Sequence, residues 1–515
     1  MSASRSGQER RLLPRWQPST ETVLQGELRP LAAVKSKTID DEHFEARKAE
    51  WEVTRSLEVA AELVASAIVL GRTEEVIPAA RLLAEDTSDV STTLREMARG
   101  ALNTTPGAIV DRPHQRGHLV RTAIYTQISQ IRHHLRSNPR DAYAWVDLGR
   151  LYTILGQFDP ARKAINTAQV IAPEDRFVLR AGARFFVHAG EAEVAHRMLN
   201  RADATRHDPW LMAAEIAVSQ VLERSPRTAS LAARALKEDQ WSPRSSSELA
   251  GSFATLLMQE GIAQKARGFF RRSLRDPTEN ALAQAQWAAG NTTGLVIPPQ
   301  LMRDPNGHEA RALRDTFLGN WDSALNHCWE WAEYEPTSSR SMQLGSYIAS
   351  VAREDSETIL EFTERGLAAE PRNATLLNNK AVGLVYAGHI PEALKILHSL
   401  VIEKERDIEQ PALYATTGLV FFRSGDTERG RLYYEKAVSH PYSHRDRRCH
   451  ALALWHFARE EVRINSERID ATIARAEKAS KDMQLAELDV LRKRVLELAK
   501  KPIKANRRTK IFPVN

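Results

Sequence analysis

The stretch "AYAWVDLGRLYTILGQFDPARKAINTAQVIAPED", residues 142–175, decides how the rest of the chain reads. Its apolar residues recur at helical spacing in two runs, 142–155 and 159–171, separated by the turn "GQFDP". Gly156 is placed to end the first helix in a left-handed conformation, Asp159 to N-cap the second, and Pro160 to occupy its first position. Gly149 and Ala161 are small where the two helices must approach, and a larger side chain there would overpack at a cost of about 1–3 kcal/mol. Pro173 stops the second helix. The product is a helix hairpin, and alone it leaves one face of each helix uncovered.

Shifted by 34 residues, the pattern returns. Residues 176–209 place Leu179, Ala183, Phe186, Gly190, Ala195, Leu199 and Ala202 at the corresponding positions. Residues 247–280 place Ala250, Ala254, Leu257, Gly261, Ala266, Phe270 and Ser273 there. The block from 374 gives Leu377, Ala381, Leu384, Gly388, Ala393, Leu397 and Leu400, and the block from 411 gives Tyr414, Gly418, Phe421, Gly425, Gly430, Tyr434 and Ala437. Weaker copies lie at 57–90, 210–246, 305–338, 340–373 and 445–478. Repeated hairpins of this kind cover one another's exposed faces by stacking.

These residues resemble the tetratricopeptide repeat, with its W-x2-L-G-x2-Y…A-x3-F…P pattern. The 142–175 block matches it through Trp145, Leu148, Gly149, Tyr152, Ala161 and Pro173, with Ile165 in place of the aromatic. The resemblance extends over most of the chain. It implies an all-α fold, an α-solenoid built as a right-handed superhelix, and a partner-binding groove lined by the first helix of each hairpin. The carboxylate clamp used by some members is incomplete here: Asn379 stands at one of its positions, but Ala412 and Thr416 stand where Lys and Arg belong.

Breaks in the register suggest the organisation. Residues 1–50 read as an irregular N-terminal segment, 51–290 as a first solenoid with an irregular insertion at 91–118, and 291–304 as a linker. Residues 305–480 read as a second solenoid. One long helix over about 466–499 ends it, residues 481–499 forming the capping end, and residues 500–515 read as a basic disordered tail. A cut near residue 296 is expected to leave two soluble halves.

Composition limits the function classes. The 515-residue chain is 42% hydrophobic and 27% charged, which suits a folded chain rather than a disordered one. The start "MSASRSGQERRLLPRWQ" has arginines without an apolar core behind them, and the apolar run at 57–70 contains Glu58 and Glu62, so the expectation is a cytoplasmic protein with no membrane partner. The net charge of +6 equals the charge carried by Lys500, Lys501, Lys504, Arg507, Arg508 and Lys510 together, which leaves the remainder close to neutral. That tail is a candidate for weak nucleic-acid contact, against the alternative of a solvated terminus.

Phosphate loops, nucleophile elbows, H-E-x-x-H and C-x-x-C pairs are absent, so no enzyme activity, cofactor, metal site or catalytic residue is expected. Cys328 falls at a large-apolar repeat position and reads as a packed thiol. Arg447 and Arg448 beside Cys449 would lower its pKa.

The candidate partner-binding residues come from the repeat register. Arg150 and Arg184 occupy the same position 34 residues apart, while Arg180 and His188 lie four residues either side of Arg184 on one helix face. Tyr143 and Phe177 match each other at the start of that face. Arginine forks beside aromatic edges suit a carboxylate, a phosphate or an acidic peptide; the competing reading is a set of solvated or locally paired arginines, with Asp147 and Glu174 at hand. The expected function is therefore a non-enzymatic scaffold or adaptor that binds a protein partner. The alternatives are a nucleic-acid-associated factor using the basic tail and an effector with a site in 91–141 around His114, His118 and His133.

Overall fold

A computed structural model describes residues 10–19, 41–70, 72–85, 95, 98–99, 101–102, 116–291, 294–403 and 410–500. Among these residues the regular structure is helical throughout. The chain forms two compact units, one of residues 12–253 and one of residues 254–515 together with residues 1–11. The division falls inside a helix, Pro243–Gln259, whereas residues 291–304 lie within the second unit.

The first unit contains α1 (Asp41–Thr54), α2 (Leu57–Leu70), α3 (Ile77–Glu85), α4 (Arg116–Ser137), α5 (Ala142–Ile154), α6 (Phe158–Ile171), α7 (Arg176–His188), α8 (Ala192–Arg201), α9 (Pro209–Val221) and α10 (Ala229–Lys237), and most of α11 (Pro243–Gln259). From α5 onward the helices pair as hairpins: α5 packs on α6 and α7, α7 on α8 and α9, and α9 on α10. Asp141, Asp175 and Asp208 N-cap α5, α7 and α9 by accepting backbone N–H bonds, which satisfies donors that would otherwise lack partners.

Gly156 has φ +70°. Its turn carries the paired bonds of a Schellman motif, Gln157 N to Tyr152 O at 2.9 Å and Gly156 N to Thr153 O at 2.9 Å. Glycines at the equivalent positions 190, 261, 319, 388 and 425 adopt the same conformation. Where the glycine is missing the turn persists: Glu223 and Asn465 take φ +55° and +53°. The second helix departs from expectation at its start. α6 begins at Phe158 with Gln157 as its N-cap residue, and Asp159, already inside the first turn, pairs with Arg162 at 2.8 Å. The helix starts two residues early because the Schellman bond of Gln157 already fixes the chain direction there.

A Cβ built on Gly149 would meet Ile165 Cδ1 at 2.9 Å and the Ala161 carbonyl at 3.4 Å, so the small residues mark the close helix approach as their spacing requires. Around it, Val146, Ile165, Phe186, Leu199 and Leu211 belong to one continuous apolar cluster. Each such side chain contributes roughly 1.5–3 kcal/mol on burial.

The second unit continues with α12 (Ala263–Ser273), α13 (Glu279–Asn291), α14 (His308–Leu318), α15 (Trp321–Tyr334), α16 (Ser339–Ile348), α17 (Ser356–Ala369), α18 (Ala374–Tyr386), α19 (Ile390–Glu403), α20 (Gln410–Ser424), α21 (Thr427–Ser439), the short α22 (Pro441–Arg445), α23 (Arg447–Arg463), α24 (Ile469–Ser480) and α25 (Ala486–Lys500). Between α13 and α14 lies a 3-10 turn, Pro299–Arg303. The one long helix expected over 466–499 is instead two, α24 and α25. Asp482 turns the chain between them with φ +64°, and Leu488, Leu491 and Val495 of α25 pack into the cluster around Trp455. The cap is thus a hairpin with a buried apolar side rather than a charged rod.

The insertion at 91–118 and the tail residues 501–515 lie almost wholly outside the described residues, and with them His114, Lys501, Lys504, Arg507, Arg508 and Lys510. No helix among the described residues is long and apolar enough to cross a membrane.

Candidate functional site

Helices α5, α7 and α9 and the start of α11 are successive first helices in the first unit, and their shared face carries most of the residues singled out above. Tyr143 donates its hydroxyl to Asp175 Oδ2 at 2.9 Å and meets Phe177 edge-on, ring centroids 5.3 Å apart. Burial and the neighbouring Asp175 carboxylate raise the Tyr143 hydroxyl well above its usual pKa, so it remains a hydrogen-bond donor. Phe177 is buried in the α5–α9 cluster.

Arg180 is 6% exposed and donates to Glu248 Oε2 at 3.1 Å while its guanidinium stacks over Trp210 at 4.5 Å. Arg184 is 9% exposed. Arg150 is half-buried, and so is His188, which packs against Phe158 with centroids 5.6 Å apart. The register therefore brings these side chains onto neighbouring first helices, but Arg180 is already answered by an internal carboxylate. Sequence spacing could not show that, because Glu248 follows 68 residues later.

The decisive occupant of this face was not legible in the sequence. Residues 12–18 form a non-helical segment that, with Ser19 after it, packs on it. Trp16 is fully buried with its ring edge on Phe185, centroids 6.1 Å apart, and Leu13 packs against the same cluster. Ser19 donates its backbone N–H to Asp147 Oδ1 at 2.9 Å and its hydroxyl to Asp147 Oδ2 at 2.6 Å. Asp147, which composition offered as a partner for arginine, is engaged with Ser19.

In the second unit Arg10 enters a polar pocket. Its Nε and Nη2 donate to the two oxygens of Glu309 at 2.8 and 3.0 Å, Nη1 to Gln284 Oε1 at 2.5 Å, and Nη2 to Asn280 Oδ1 at 2.6 Å. Elsewhere in this unit Arg459, wholly buried, donates to Glu460 at 2.8 Å, to Glu354 at 2.9 Å and to the Tyr386 hydroxyl at 2.7 Å. Burial alone would raise the Glu460 carboxyl, but Arg459 and Arg423 outweigh it and hold the group below the usual carboxylate range. Asn379 of the incomplete clamp is tied to Ser346 Oγ at 2.9 Å.

Three further donors converge among the described residues, His308, His327 and Glu330, within 4.8 Å of one another. Glu330 Oε2 lies 2.9 Å from His308 Nδ1 and 2.8 Å from His327 Nδ1. Arg311 Nη2 lies 3.0 Å from that same His308 nitrogen, so a guanidinium stands where a cation would have to bind. Of the histidines in 91–141, His133 is exposed, and the side chain of His118 lies outside the described residues. The Cys328 thiol is pushed up by burial, and so is Cys449, where burial outweighs Arg448, contrary to the lowering expected from the flanking arginines.

The hairpins, their Schellman turns and the small residues at each crossing settle the repeat. The fold is a stack of helix hairpins. No family model matches the sequence, and no curated protein matches it. Solved structures similar to this chain include a human IFIT1 dimer with PPP-AAAA (13% identity, 93% of this chain and 99% of that one, TM-score 0.34). They also include an APC/C hetero-tetramer Cut9-Hcn1 (12%, 93% and 99%, 0.41) and a tetratricopeptide repeat protein from Parabacteroides merdae (18%, 54% and 97%, 0.27). Identities and scores this low say nothing about ligand or partner.

Proposed function

We propose that the chain is a non-enzymatic tetratricopeptide scaffold that binds a segment of a protein partner on the first-helix face of α5, α7 and α9 and works within a multiprotein complex in the cytoplasm. The observation that carries this reading is the packing of residues 12–19 on that face, since a surface that takes a largely extended peptide from its own chain has the chemistry to take one from another. Arg150, Arg184 and His188, with Tyr143 and Phe177 beside them, support an acidic or carboxylate-bearing segment. Arg180 belongs to the same set and is paired with Glu248.

The test is affinity capture from the native cell with mass spectrometry, comparing the unaltered chain, an Asp147→Lys/Arg150→Glu variant of unchanged circular dichroism, and a chain ending at Ala499. A protein lost with the face variant and kept with the truncation supports the scaffold reading. Partners unaffected by the face variant would remove the site. Nucleic acid or ribonucleoprotein lost only with the tail would transfer the function to the basic terminus.

A further inference from the structure

Helix α12 of the second unit reads "AQKARGFFRRS" from Ala263 to Ser273. It carries four cations, Lys265, Arg267, Arg271 and Arg272, and no acid. Arg275 follows in the turn that ends it, and the acids nearest in sequence, Glu260 and Asp276, lie outside the helix. One side of α12 is ordinary core, with Ala266, Phe270 and Ser273 buried. On the opposite side Gln264, Lys265, Gly268 and Arg271 are exposed, and Arg272 is half-buried. Residues three and four apart are neighbours on a helix surface. Gly268 is therefore ringed by Gln264, Lys265, Arg271 and Arg272, and a Cβ built on it meets nothing within 4 Å.

The stability of the helix does not explain this arrangement. Lys265 puts a cation in the first turn, against the helix dipole, and Arg267 and Arg271 repel each other at i,i+4. Glycine costs helix stability relative to alanine, and at Gly268 neither a close helix approach nor a positive φ requires it. Other hairpins of the same unit answer their arginines. Arg431 of α21 meets Glu428 at 2.6 Å and Glu461 at 2.8 Å, and Arg475 of α24 meets Glu435 at 2.6 Å. Lys265, Arg271 and Arg275 have no ion-pair partner among the described residues. Three local rules are broken within 11 residues, and such breaks concentrate where a surface serves binding.

We propose that the exposed face of α12 docks the phosphodiester backbone of a nucleic acid, with Gly268 as a bare floor for one phosphate and Lys265, Arg271 and Arg275 as the cations that meet it and its neighbours. A glycine lets a ligand backbone approach closely, and an arginine fork takes two phosphate oxygens at once. Lys265 and Arg271 are six residues apart, about 9 Å along the axis, so the row suits a chain of repeating charge rather than one carboxylate. Between Lys265 and Arg275 every exposed residue is a cation or glycine, whereas a helix that lies on a membrane needs exposed apolar side chains. This surface belongs to the second unit and does not depend on the scaffold reading, which concerns the first.

The experiment titrates a fluorescent mixed-sequence single-stranded oligonucleotide, as DNA and as RNA, into the full-length chain by anisotropy over a range of salt. Arg271→Ala/Arg275→Ala is expected to weaken binding about tenfold at low salt and to lower the salt slope by about 2, for DNA and RNA alike. Arg372→Ala/Lys395→Ala removes as much charge from exposed positions elsewhere in the unit and is expected to change binding less than about twofold. Equal losses from the two pairs overturn the assignment, since only bulk charge would then be at work. Binding lost in a chain ending at Ala499 and kept in the α12 variant moves the contact to the tail and overturns it as well. If the oligonucleotide fails to bind and vesicles rich in phosphatidylserine do, nucleic acid is the wrong partner.

Gly268→Ala separates the surface from the fold. Alanine stabilises an exposed helix position, yet its methyl group covers the floor. A higher urea midpoint together with oligonucleotide binding weakened about threefold is the expected result. Unchanged binding in this variant refutes the phosphate floor.

Discussion

Gly418 and Gly268 offer the same substitution in opposite surroundings. A Cβ on Gly418 in α20 would sit 2.7 Å from Tyr434 Cδ2 and 3.1 Å from the Gly430 carbonyl oxygen of α21. Tyr434 cannot swing aside, because it is buried and stacked on Phe457 with centroids 5.1 Å apart. Backbone has to yield, and overpacking of this kind costs roughly 1–3 kcal/mol. Alanine recovers about 1 kcal/mol of helix propensity over glycine, so Gly418→Ala is expected to destabilise by about 1 kcal/mol net. Gly268 in α12 is exposed, and a Cβ there meets nothing within 4 Å. Only propensity acts on it, and Gly268→Ala is expected to stabilise by about 1 kcal/mol. Hydrogen exchange read separately over α20–α21 and over α12 is the assay of choice, since a repeat array need not unfold in one step. If both alanines slow exchange equally, the α20–α21 crossing is not the constraint that the geometry makes it.

Other outcomes follow from buried charge and thiols. Arg459→Met leaves Glu460 and Glu354 short of their central counter-charge and is expected to cost about 3–5 kcal/mol, read as a fall in the urea midpoint. Burial would raise the Glu354 and Glu460 carboxyls, but the surrounding arginines hold both below the ordinary value of 4.5. Their stabilisation is therefore complete above that pH and lost as pH falls through the lower folded values. Thermal unfolding between pH 7 and 3 should show this drop, and Arg459→Met should shrink it. Neither Cys328 nor Cys449 should react with a thiol reagent at pH 8 until denaturant is added, since burial raises both; rapid labelling of the folded chain would contradict this.

The hairpins were legible because period and turn chemistry are local. Gly156 and Gly149 act within a few residues of themselves, and their spacing carries the information. The N-terminal segment was not legible, since Arg10 finds Asn280, Gln284 and Glu309 between 270 and 299 residues away and no period marks the encounter. Asp159 failed as a cap for a subtler reason: a Schellman bond upstream moved the helix start by two residues. Register puts Arg150 on α5 and Arg180 and Arg184 on α7, but register is blind to Glu248.

The last helix has a mechanical meaning. α25 packs on α23, and Arg494 donates to the carbonyls of Val351 and Ala352 at 2.8 and 2.5 Å, some 140 residues back along the chain. A simple array of neighbours frays from its terminus inward, losing one hairpin at a time. Here the terminal helix is clasped to the turn after α16, so pulling on the C-terminus would load α16 and α23 together. The second unit should give way in one large step, like a latch, rather than unzip.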